Sequence, residues 1–205
     1  RAASAMGLRH VVITSVSRDD LEDRGAGAFA GVVREVRRLL PHATLELLTP
    51  DFSGRADLVE LVLKEKPDVF NHNVETVGGL YSTVRPQAGL ETSLKVLRMA
   101  REFSADMVVK SGFMLGLGEK EEEVADLLKD LGRSGCDIVT IGQYLRPTNM
   151  QLPVSRYWEI QDFERFSDIA KRVGIRDVIS GPLVRSSYRA GEILEKIRRD
   201  RRESA

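Results

Sequence analysis

The stretch VFNHNVETV, residues 69–77, begins as a buried β-strand and ends in two asparagines, a histidine and a glutamate. Alternation along a strand places Asn71, Asn73 and Glu75 on one side. Taken alone, such a tail often only caps the next helix or ties down a loop. The same change recurs at the end of each candidate strand: Thr14 and Ser15 close VVITS (11–15), and Thr49 closes LELLT (45–49) with Asp51 just beyond. Lys110 and Ser111 lie in MVVKSGFML (107–115), Gln143 and Tyr144 in DIVTIGQYL (137–145), and Ser180 in DVISGPLV (177–184).

Amphipathic helical stretches separate these runs. Phe29, Val32, Val33, Val36 and Leu40 share one helical face, as do Leu94, Leu97 and Ala100, and Val124, Leu127, Leu128 and Leu131. A later helix carries Phe163, Phe166, Ile169, Ala170 and Val173 before Gly174, which stands where a left-handed C-terminal residue is expected. Upstream, RAASAMGLRH reads as the end of a helix that turns at Gly7 into the first strand. Strand–helix alternation with near-continuous apolar strands predicts an α/β fold of parallel strands covered by helices. An open doubly wound sheet and a (β/α) barrel both satisfy that pattern. Polar residues gathered at one end of every strand favour the barrel, whose C-terminal mouth is where ligands bind.

The 205 residues are 42% hydrophobic and 30% charged, which suits a single domain over 1–205. Lys plus Arg and Asp plus Glu both number 31, so overall charge offers nothing to nucleic acid or an anionic membrane. No apolar run approaches the roughly 20 residues that cross a bilayer, and no signal-peptide layout opens the chain, which reads as cytoplasmic. The single cysteine, Cys136, excludes an internal disulfide and any cluster held by several thiolates of these residues. It reads as a small semi-buried residue, and His72 as a hydrogen-bonded structural histidine. In KSGFMLGLGEKEEEV (110–124) the glycines permit close approach to a flat ligand, while Glu119 to Glu123 suit a helix N-terminus and would repel a phosphate. RRDRRESA (198–205) reads as a solvated helix end.

VITSVSRDDL (12–21), TPDFSG (49–54), FNHNVETV (70–77), LYSTVRP (80–86), KSGFMLGLGE (110–119), TIGQYLRPT (140–148), LPVSRY (152–157) and SGPLVRSSYRAG (180–191) together resemble the lipoyl synthases of the radical S-adenosylmethionine superfamily. The resemblance covers about Met6 to Gly191. It implies a partial (β/α) barrel lacking its first strand and both N-terminal cysteine triplets, the C-terminal two-thirds of such an enzyme, with a C-terminal extension from about residue 185. By itself such a chain would assemble neither cluster and would be inactive.

The implied reaction inserts two sulfur atoms at C6 and C8 of an octanoyl chain carried on a lysine. It uses S-adenosylmethionine and two [4Fe–4S] clusters, the auxiliary one being the sulfur donor. The implied partners are an octanoylated lipoyl-carrier domain or glycine-cleavage H-type protein, and an electron donor such as flavodoxin or ferredoxin. By the same resemblance, Thr14 and Ser15 would lie near the methionyl group, and Asn73 and Glu75 would bind polar groups of the cofactor. Lys110 and Ser111 would line the mouth, the GLGE glycines would leave room for adenine, and Ser187 would be a ligand of the auxiliary cluster. Arg85 and Arg146 are candidates for carboxylate or carrier contacts, or for structural ion pairs. Ser17 and Gln151 depart from the acid and the histidine usual in the family. Two readings of another class stay open: a cluster-free barrel lyase with Lys110 as a Schiff-base amine, and a non-catalytic remnant that binds the carrier.

Overall fold

A computed structural model describes residues 2–203, without the side chain of Arg201. Residue 1 of RAASAMGLRH and residues 204 and 205 of RRDRRESA lie outside it. Eight helices and six strands follow one another as α1 (Ala2–Ala5), β1 (His10–Thr14), α2 (Ala26–Leu39), β2 (Thr44–Leu48), α3 (Ala56–Leu63), β3 (Val69–Asn71), α4 (Tyr81–Val84), α5 (Leu90–Phe103), β4 (Val108–Leu115), α6 (Glu121–Arg133), β5 (Ile138–Gln143), α7 (Ile160–Arg172), β6 (Asp177–Gly181) and α8 (Ala190–Glu203). Single 3₁₀ turns occupy Phe52–Gly54 and Gly78–Leu80.

All six strands are parallel and stand in sequence order, so β1 and β6 are edges that do not pair with each other. The α/β partial barrel expected from the sequence is what forms: one sheet, not closed by hydrogen bonds. Each expected strand is present, shorter than its apolar run by a residue or more at the polar end. The exception is MVVKSGFML, which loses only its first residue.

Period-two alternation gives the sheet two distinct faces. Leu45, Leu47, Phe70, Val109, Phe113, Val139 and Ile141 join Val33, Val62, Leu97, Leu128 and Phe166 of the helices in the main core. Removing a side chain such as Phe70 from water contributes about 1.5–3 kcal/mol, which makes this outer layer the chief stabilising element. Val32, expected on the buried face of α2, is instead 43% exposed. The inner face is covered at one end by α8, whose Leu194 and Ile197 pack on Val69, Val108 and Ile138.

That packing makes α8 a plug; within RRDRRESA itself Arg199, Arg202 and Glu203 are exposed, as a solvated helix end would be, and Arg198 at its start is tied to the sheet, hydrogen-bonding Asp68. Asp68 also accepts the Leu45 N–H and an Arg37 guanidinium N–H. Helix ends follow the sequence signals. Asp23 accepts the N–H groups of Gly25 and Gly27 at the start of α2, and Gly174 takes φ 93° just past α7. Among the described residues, no helix is long and apolar enough to cross a membrane.

Candidate functional site at the strand ends

Four of the six residues expected to bind the cofactor converge. Thr14, Ser15, Asn73 and Glu75 line a cavity of about 190 Å³ with Ser17, Leu48, Thr49, Pro50, His72 and Arg85. Ser17 and Arg85 also line an adjoining cleft of about 810 Å³ between the loops that follow β1, β2 and α4. Thr14 ends β1 and Ser15 follows it with its hydroxyl on the Val16 carbonyl at 3.0 Å, so both stay exposed at the rim.

The segment after β3 builds the inner wall. Glu75 takes φ 67°, a strained setting for a residue with a side chain, and its backbone still exchanges hydrogen bonds with β4: Glu75 N donates to Gly112 O and Met114 N to Glu75 O. Burial pushes the Glu75 carboxyl above its ordinary pKa, against the lowering by the Asn73 side-chain hydrogen bond and the Arg85 charge. Asn73 Oδ1 is buried without a partner. A Cβ added at Gly112 would stand 2.3 Å from Thr140 Oγ1 and 3.0 Å from Asn73 Oδ1, so only glycine fits there.

Arg85 is held from below. Its guanidinium donates to the Asn73 carbonyl at 3.2 Å and lies 5.6 Å from the Tyr81 ring centroid, while the Tyr81 hydroxyl donates to Val74 O at 2.7 Å. Arg146 serves its own loop, donating to the carbonyls of Gln151 at 2.9 Å and Asn149 at 2.5 Å.

His72 closes the back of the cavity, fully buried, with Nδ1 2.8 Å from Thr49 O and Nε2 2.9 Å from Ser93 Oγ. A carbonyl only accepts, so Nδ1 carries the proton and Nε2 takes the serine hydrogen. Burial depresses its pKa to about 4, so it is a neutral, structural residue, as its sequence setting suggested.

Lys110 and Ser111 are not brought to this cavity. Lys110 points to the inner face, 1% exposed, and donates to Glu46 Oε1 at 2.8 Å and to the Ser186 carbonyl at 2.5 Å. Glu46 Oε1 also accepts from Asn71 Nδ2 at 2.7 Å, and Oε2 lies 3.8 Å from His10 Nε2. An ammonium so enclosed has no room for a carbonyl substrate, which removes the geometric basis of a Schiff-base lyase. Ser111 alternates to the outer face with Val109 and Phe113 and is fully buried. Ser187 is exposed in the turn before α8.

Glu119 also departs from expectation. It turns back from α6 to accept the N–H groups of Gly116 at 2.5 Å, Leu117 at 2.9 Å and Gly118 at 3.1 Å, and the Trp158 indole N–H at 2.7 Å. The glycine loop is therefore an anion nest filled by the chain's own carboxylate. Gly116 gives its space to protein, since a Cβ there would lie 2.6 Å from Arg156 O, whereas Gly118 has only Ser155 within 4 Å.

The sequence reading passed over two residues of this architecture, Glu46 and Trp158. A lone acid inside LELLT was the available signal for the first; nothing local marks the second.

Six parallel strands with a polar cavity at their C-terminal ends define the class. The sequence profile of the Radical SAM superfamily matches residues 1–131, and the chain belongs to that superfamily. Solved structures agree on the fold: Streptococcus suis SuiB bound to S-adenosylmethionine superposes with a TM-score of 0.65 at 12% identity, over 86% of this chain and 40% of that one. Coproporphyrinogen III oxidase (HemN) from Escherichia coli gives 0.60 at 14% identity, over 84% and 43%.

Within the superfamily the chain belongs to the lipoyl synthases. It is 52% identical to the lipoyl synthase of Chlorobaculum tepidum over 96% of this chain and 68% of that protein. The lipoyl synthase of Rubrobacter xylanophilus is likewise 52% identical, over 97% of this chain and 62% of its own length. The chain thus spans about two thirds of the relatives it matches.

The residues present fit one of the implied cofactors and not the other. The unpartnered Asn73 Oδ1 and the raised Glu75 carboxyl suit a cationic, donor-rich ligand such as S-adenosylmethionine, and the cavity and cleft together reach the roughly 300–1,000 Å³ usual for ligand sites. An iron–sulfur cluster has no cage here. Among the described residues no three His, Cys, Asp or Glu side chains gather as metal ligands, and burial keeps the Cys136 thiol protonated.

Proposed function

We propose that this chain carries the S-adenosylmethionine-binding and substrate-facing part of a lipoyl synthase, which inserts sulfur at C6 and C8 of a protein-bound octanoyl-lysine. Identity of about half the residues to lipoyl synthases over nearly the whole chain carries this reading. In it, Thr14 and Ser15 face the methionyl end of the cofactor, Asn73 Oδ1 accepts from an amine or hydroxyl, and Glu75 balances positive charge. Bound there, S-adenosylmethionine supplies the 5′-deoxyadenosyl group that opens the octanoyl C–H bonds. Ser187 is proposed as a ligand of the auxiliary cluster. The proposed partners are an octanoylated lipoyl-carrier or H-type protein and a flavodoxin- or ferredoxin-type electron donor, in a cytoplasmic setting.

Product analysis tests the reading. The polypeptide bearing this chain, reconstituted anaerobically with iron and sulfide, is incubated with S-adenosylmethionine, dithionite and an octanoyl-lysine carrier peptide. Gain of two sulfur atoms in the peptide is expected. Cleavage of S-adenosylmethionine with the octanoyl chain unchanged would contradict it.

A further inference from the structure

The chain that leaves β6 does not return along the outside. Residues 182–191 cross the inner face toward β1, and four seats hold them. Gln143 N donates to Pro182 O at 3.4 Å, and Gly142 leaves space for Val184 O, which would lie 2.4 Å from any Cβ at 142. Lys110 Nζ donates to Ser186 O at 2.5 Å. Gly191 meets the His10 ring of β1, where an added Cβ would stand 3.0 Å from His10 Cβ. The segment therefore ties together the two edges of a sheet that hydrogen bonds leave open.

Of these seats only Lys110 is charged. Its ammonium has a fixed address, because Glu46 Oε1 is itself pinned by Asn71 Nδ2 and all three side chains are buried. A hydrogen bond from a buried charge to a carbonyl is stronger and more directional than a neutral one. The buried ammonium has three N–H donors to satisfy, and the crossing loop supplies one of the acceptors through Ser186 O.

We propose that Lys110 is a positioning residue, whose ammonium, fixed by Glu46, holds the Ser186 carbonyl and so sets where Ser187 stands in the turn before α8. The consequence for catalysis rests on the proposed role of Ser187, whereas the latch itself does not.

Hydrogen exchange of the folded chain separates the two. Lys110→Met with Glu46→Gln removes both buried charges, so the protein is not left with an uncompensated carboxylate. If the lysine is a latch, exchange at the Tyr188 and Ala190 amides accelerates about tenfold relative to β4 and β5 amides, since one charge-assisted hydrogen bond is lost. Gly142→Ala displaces the neighbouring seat without touching the Lys110–Glu46 pair, and it accelerates the same amides. In the polypeptide reconstituted for turnover, the double variant is expected to lose sulfur insertion more than it loses S-adenosylmethionine cleavage. Exchange at Tyr188 and Ala190 that matches the unaltered chain in the double variant overturns the latch. Loss of cleavage and insertion in equal measure overturns its positioning of Ser187. Faster exchange in the double variant, with no sulfur insertion by the unaltered reconstituted polypeptide, supports the latch and counts against the functional reading alone.

Discussion

Lys110 of β4 and Glu46 of β2 hold their charges 2.8 Å apart on the inner face, with 1% of either side chain exposed. Breaking such a pair by removing one partner strands a buried charge and typically costs about 3–5 kcal/mol. Lys110→Met is therefore expected to lower the urea midpoint strongly. The double change Lys110→Met with Glu46→Gln should restore much of the loss, and a double-mutant cycle reads the coupling directly. Additive effects of the single changes would show that the two side chains do not depend on each other.

His72 makes stability fall in mild acid. Its folded pKa of about 4 lies below the unfolded value of 6.5, so the unfolded chain takes up the proton first. Its contribution is intact above about pH 6.5 and declines as pH falls toward 4, by on the order of 3 kcal/mol at about 1.4 kcal/mol per unit. Thermal melts between those limits should show the decline, and His72→Gln should flatten it.

Glu75 predicts a proton signature of binding. Burial raises its pKa, so in mildly acidic buffer part of the population carries a proton that a cationic ligand expels. Titration of S-adenosylmethionine in buffers of different ionisation enthalpy should report proton release, and Glu75→Gln should abolish it. Equal heats in all buffers would show that the carboxyl does not face the ligand.

Glu119→Gln exchanges a carboxylate that accepts from four N–H groups for an amide that brings donors of its own. Loss of these charge-assisted bonds is expected to cost about 2–3 kcal/mol and to unseat Trp158. Trp158 is the only tryptophan, so its fluorescence and the urea midpoint should move together.

Much of this architecture was legible before any coordinates. Hydrophobic periodicity located all six strands, because parallel strands buried on both faces read as unbroken apolar runs. The polar strand ends gave Thr14, Ser15, Asn73 and Glu75, which do share a cavity. Lys110 and Ser111 did not follow, for a reason alternation itself supplies: consecutive residues of a strand face opposite ways, so no single site takes both. Lys110 then went to an acid two strands away in the fold's interior, which no spacing in sequence announces. Glu119 was placed by composition with the acids of α6, but hydrogen-bond geometry turned it to the glycine loop. The path of residues 182–191 across the inner face was likewise illegible, since it depends on where the sheet curves and not on local pattern.

Binding of S-adenosylmethionine to the folded chain, measured by equilibrium dialysis with Asn73→Ala and Ser111→Ala beside the unaltered protein, tests the central claim most directly. Saturable binding that Asn73→Ala weakens by about tenfold or more, the range of one buried hydrogen bond to a charged group, and that Ser111→Ala leaves unchanged is the predicted result. Binding indifferent to Asn73, or lost equally in both variants, would contradict the assignment of the cavity.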